Sequence, residues 1–143
     1  MEEKTKSQLL EVKLEDEKKQ WNATVKALVE QIRHVDNLAE SQVLMLSYRH
    51  QLGDKSNEFK NMIARRKSTM WVARKEAYRT YKTQYDLKLN QSEINDFIDA
   101  DTRETILIIA ILENQLYYYS MTMDTLDKLG FAISNRITIA QRL

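Results

Sequence analysis

No proline occurs in the 143 residues of this chain, and only two glycines do. A sandwich or barrel of that length turns many times, and tight turns draw on those two residue types. Their scarcity predicts an all-α fold, a few long antiparallel helices in one domain. Apolar residues at 43% supply a core, which three phenylalanines make a lean one. The absence of cysteine removes disulfides, thiolate metal sites and cysteine nucleophiles together. Residues 1–8 hold no apolar stretch, so no secretory signal is expected. The longest apolar run, Ile106 to Leu112, is far short of the roughly 20 residues a membrane span needs. The expectation is a soluble, cytoplasmic protein with no membrane partner.

Hydrophobic spacing divides the chain into an N-terminal helical region (1–54), a basic helix (55–88) and an apolar C-terminal region (89–143). In the first, Trp21, Val25, Leu28, Ile32, Val35 and Ala39 follow steps of four and three, the spacing of a coiled-coil seam. Gly53 suits a helix C-terminus, with Asp54 or Ser56 capping the next helix. A helix running through Gly53 is the other option, at about 1 kcal/mol relative to alanine. In the third region Asn90 and Glu93 fit a capping box. Asp99-Ala100-Asp101 is expected to break the helix begun there, with Asp101 and Glu104 capping another. Gly130 marks an expected stop or kink before a short amphipathic helix.

From Thr102 to Leu129 the chain is apolar on nearly every side. Such a helix is buried on all sides, and a chain this short has little other material to wrap it. The economical answer is a homo-oligomer. Its interface would hold Ile106, Ile108, Ile109, Ile111, Leu112, Leu116, Tyr118, Leu126, Phe131 and Ile133. The other arrangement is a central helix of a monomeric bundle.

Catalytic patterns are scarce. His34 and His50 have no carboxylate motif around them, and no HExxH, P-loop or GxGxxG pattern occurs. Glu93, Asp96, Asp99 and Asp101 could hold Mg²⁺, but helix caps and first-turn acids explain them more simply. No enzyme activity, metal or cofactor is expected.

Charge is informative once divided. The net of +1 splits into −2 over residues 1–54, +7 over 55–88 and −4 over 89–143. A basic block of this kind points to an anionic partner. On a helix, Lys60, Lys67, Arg74, Lys75, Arg79 and Lys82 share an arc of about 140°. Trp71, Tyr78 and Tyr85, at steps of seven, run down its middle. Cations contact phosphates and aromatic faces stack bases, a combination suited to single-stranded nucleic acid. Equally, the aromatics could be core residues with lysine stems around them.

Three stretches together carry a resemblance. They are Val43-Leu44-Met45-Leu46-Ser47-Tyr48, then Trp71-Val72-Ala73-Arg74-Lys75-Glu76-Ala77-Tyr78, then Asp99-Ala100-Asp101 followed by Leu126-Asp127-Lys128-Leu129-Gly130-Phe131-Ala132-Ile133. In order and spacing the chain resembles the UvsY-like recombination mediators of T-even-type bacteriophages. The resemblance implies a ring-forming helical homo-oligomer, a heptamer in that family, acting in DNA recombination and repair in the infected bacterial host cell. It implies binding of single-stranded DNA, and loading of a RecA-like phage recombinase onto DNA covered by the phage single-strand-binding protein. Of the second stretch only Arg74 carries over directly, since Val72 stands where the family has lysine. The rival reading is a non-enzymatic coiled-coil adaptor whose basic face meets a protein partner.

Overall fold

The computed structural model describes residues 3–83 and 88–142. Three helices hold nearly all of them: α1 (Lys6–Gln31), α2 (Leu38–Thr83) and α3 (Gln91–Arg142). No strand occurs among the described residues, as the missing turn residues predict. At 1.5 Å per residue, the 46 residues of α2 and 52 of α3 extend for about 69 and 78 Å. No helix among the described residues is long and apolar enough to cross a membrane.

Both ends of α1 are tied down. At its start Thr5 and Gln8 form a capping box. Glu104 of α3 accepts the Ser7 N–H at 2.8 Å. That backbone hydrogen bond holds the Glu104 carboxyl below the usual carboxylate range. At the other end the Arg136 guanidinium donates to the carbonyls of Ile32 and Arg33. Helix ends leave such carbonyls without intrahelical partners. The chain then turns through a short 3₁₀ segment, Val35–Asn37, into α2. The seam expected to continue to Ala39 therefore ends at Ile32. Leu28 and Ile32 are buried, whereas Val35 and Ala39 are exposed.

Two other expected breaks are absent. α3 runs through Asp99-Ala100-Asp101 and through Gly130. Of the two options at Gly53, α2 takes the continuous one. The aspartates fail as breakers because Asp99 and Asp101 have partners on α2, described below. Gly130 has a packing role: a Cβ there would lie 2.7 Å from Cε of Met45. The missing side chain leaves room for the end of the Met45 side chain.

α2 runs antiparallel to α3. Met45 lies beside Gly130, and Phe59 meets the Tyr119 ring edge-on at 5.2 Å. α1 runs parallel to α3, with Ser7 at Glu104, Glu17 at Tyr119 and Ile32 at Arg136. Leu52, Leu112, Tyr119, Leu126 and Ile133 are fully buried between them. The Tyr119 hydroxyl donates to Glu17 at 2.7 Å, and burial pushes its pKa up. Tyr118 donates to Asn22 at 2.7 Å.

This packing corrects one premise. α1 and α2 of the same chain suffice to cover the inner face of α3. Ile108, Ile109, Leu112, Leu126 and Ile133, expected between copies, are buried within the protomer. Ile111, Leu116 and Tyr118 are half-buried, and of that set only Ile106 and Phe131 are exposed. The helix is less uniformly apolar than its isoleucine run suggests. Glu113, Asp124, Asp127 and Lys128 are all exposed.

The two glycines should respond oppositely to substitution. A Cβ at Gly53 meets only the tip of Arg49, 3.8 Å away. Gly53→Ala should stabilise by about 0.5–1 kcal/mol through helix propensity. Gly130→Val should destabilise by about 1–3 kcal/mol through overpacking against Met45. Denaturant melts of the two variants check both signs.

Candidate nucleic-acid interface

The three-helix section ends where Ser7 meets Glu104. Beyond it α2 and α3 continue as a two-helix arm, about residues 70–83 against 91–103. Ile94 and Ile98 are buried there, apart from the main core. Tyr81 stacks on Phe97 at 5.5 Å, and its hydroxyl donates to Asp101 at 2.6 Å. The capping box expected at Asn90 opens α3, Glu93 N–H donating to the Asn90 side chain at 2.8 Å and Glu93 Oε1 accepting from Asn90 N–H. The acidic cluster is thus divided among separate partners: Glu93 caps, Asp99 binds Arg74 and Asp101 binds Tyr81. Among the described residues no group of three or more ligand-type side chains converges on a metal position.

The cationic arc of α2 divides lengthwise. One edge leans on α3. Lys67 Nζ lies 2.8 Å from Glu113. The Arg74 guanidinium donates to Asp99 and to Thr102, each at 2.8 Å. The Tyr78 hydroxyl donates to Gln91 at 3.0 Å, leaving its ring half-buried. The other edge faces solvent. Lys60, Lys75, Arg79 and Lys82 are exposed, and none has an ion-pair partner among the described residues. Arg65, outside the arc read from sequence, is also exposed.

Trp71 lies on the solvent side. It is 68% exposed, so it is not a core residue of the protomer. Lys75 Nζ lies 5.9 Å from its ring centroid, and Lys82 Nζ lies 5.5 Å from that of Tyr78. These are cation–π distances. Each aromatic thus has a cation one helical turn onward, over one face of its ring. Tyr85, the third aromatic of the series, lies outside the described residues.

Arg74 acts within the fold as a clasp between the two helices of the arm. Periodicity placed it among the exposed cations because Asp99 and Thr102 are remote in sequence. Glu104, expected to cap a helix with Asp101, instead fastens α1 together with Arg136, and both partners are equally remote in sequence. The Thr5–Gln8 capping box was missed, although its Thr-x-x-Gln spacing is a sequence signal for one.

Arg74→Ala should loosen the arm while sparing the main core. Amide exchange over residues 91–102 should accelerate by about tenfold, and exchange around Leu112 and Leu126 should not change. Mass-resolved hydrogen exchange reads the two regions in one experiment. No protein-family model, curated protein or solved structure matches the chain, and the functional reading rests on its sequence and geometry.

Proposed function

We propose that the protein binds single-stranded DNA along the solvent edge of α2 and serves as a recombination mediator. The observation that carries the reading is Trp71, a large aromatic left 68% exposed on a helix arm whose cations Lys75, Arg79 and Lys82 have no ion-pair partner among the described residues. Exposing such a ring to water is unfavourable unless a ligand covers it. An unstacked base offers that cover, worth about 1–3 kcal/mol per stacked base. Duplex DNA does not, because its bases are already stacked. Lys75, Arg79 and Lys82 supply the phosphate contacts, and Tyr78 a second ring at the edge.

The finer reading rests on the three ordered stretches that resemble the UvsY-like family. The protein assembles with copies of itself, holds a strand in a conformation favoured by a RecA-like recombinase, and weakens the grip of the single-strand-binding protein. Binding equilibria alone do the work, with no catalytic step. Several arms on one strand would raise its affinity through effective concentration. The adaptor reading draws support from Lys67 and Arg74, whose charges already serve contacts between α2 and α3.

Titration with single-stranded oligonucleotides separates the two. Binding should quench Trp71 fluorescence and weaken with salt. Replacing Lys75, Arg79 and Lys82 with alanine should make the slope of log affinity against log salt shallower by about 2, at about 0.7 per contact. Trp71→Ala should cost about 1–3 kcal/mol of affinity with the salt slope and melting temperature unchanged. Wild-type protein without salt-sensitive single-strand binding refutes the mediator reading and leaves the adaptor.

A further inference from the structure

The outward face of α3 carries a second pattern, remote from the arm. Asn114, Tyr117, Met121, Asp124, Lys128 and Phe131 follow steps of three and four, and all are exposed. At 100° per residue they centre about 180° from the buried Leu112, Tyr119, Leu126 and Ile133. This is the 3.5-residue repeat of a coiled-coil seam with no helix over it. Tyr117 is 68%, Met121 49% and Phe131 74% exposed.

Two opposite charges interrupt the seam. Neither Asp124 nor Lys128 has an ion-pair partner among the described residues. Their positions are self-complementary in one orientation alone. A parallel copy in register would set Asp124 against Asp124 and Lys128 against Lys128. An antiparallel copy, with its two-fold axis at Leu126, sets Asp124 against Lys128 twice. The same register sets Met121 against Phe131 twice and Tyr117 against Asn135 twice. Charges that attract in one register and repel in the other are how coiled coils select orientation.

We propose that this face docks a second copy of the chain, α3 against α3 in antiparallel orientation, with Asp124 and Lys128 setting the register. The seam runs from Asn114 to Thr138, about 36 Å. It is isologous and closes at two copies. A larger ring would need further surfaces. The inference is independent of the DNA reading, since Trp71, between Lys67 at Glu113 and Arg74 at Thr102, lies about 30 Å along the helices from the axis.

Light scattering and sedimentation of the full chain at micromolar concentration test it. Asp124→Lys and Lys128→Asp should each weaken self-association at least tenfold at low salt, because each places two like-charged pairs in the seam. An equimolar mixture of the two variants, or both changes in one chain, should restore it. Both positions are exposed, so the circular dichroism and melting temperature of each variant should match wild type. The chain has no cysteine of its own. With Met121→Cys and Phe131→Cys together, a short thiol cross-linker should join residue 121 of one chain to residue 131 of another. Within one chain those positions are about 15 Å apart along the helix. Three results overturn the proposal: a wild-type monomer at about 100 μM, self-association indifferent to the single charge reversals, or no cross-link between 121 and 131.

Discussion

Isolated helices are marginal in water, and long ones persist because one face is buried. Here that burial is between α2 and α3. Leu52 from one side and Leu112, Leu126 and Ile133 from the other are removed from solvent, each contributing about 1.5–3 kcal/mol. α1 adds a further stripe: Leu14 and Leu28 are its buried apolar residues, with Leu10, Trp21 and Val25 half-buried against the core. It is fastened by polar contacts that presuppose α3, namely Glu104 on Ser7, Tyr119 on Glu17 and Arg136 on Ile32. The antiparallel register also decides which cations are used up, because it carries Arg74 past Asp99 and Lys67 past Glu113.

The fold class was legible because the absence of proline and the scarcity of glycine act locally. So was the Asn90–Glu93 cap, whose partners are three residues apart. Breaks were misread wherever a distant residue decides. Asp99 and Asp101 have the chemistry of caps, yet Arg74 and Tyr81 hold them inside a continuous helix. Gly130 has the chemistry of a stop, yet it serves as a gap for Met45. The real break after Ile32 has neither glycine nor proline, and Arg136, over a hundred residues away, satisfies its carbonyls.

The candidate site was half legible for a similar reason. Helical spacing gathers the cations, Trp71 and Tyr78 onto one arc of α2. It could not say which edge of that arc α3 would cover. Trp71, Lys75, Arg79 and Lys82 lie on the open edge, while Lys67, Arg74 and Tyr78 reach across to α3. The isoleucine run of α3 posed the same problem. Its composition argues for burial, but only packing distinguishes coverage by the same chain from coverage by a neighbour.

The change from three helices to two beyond Ser7 grades the molecule along its length. Near Leu126 an amide is shielded by two neighbouring helices, whereas on the arm it is shielded by one, with Ile94 and Ile98 as a small separate core. Local opening costs least where buried apolar contacts are fewest. The arm is thus the segment whose conformational entropy a ligand can most readily reduce. Part of any gain from stacking a base on Trp71 would be spent ordering the helix beneath it. In the proposed binding, affinity at that edge would be set by how stiff the arm already is as well as by what touches it, and the Arg74 clasp would tune a contact it does not make.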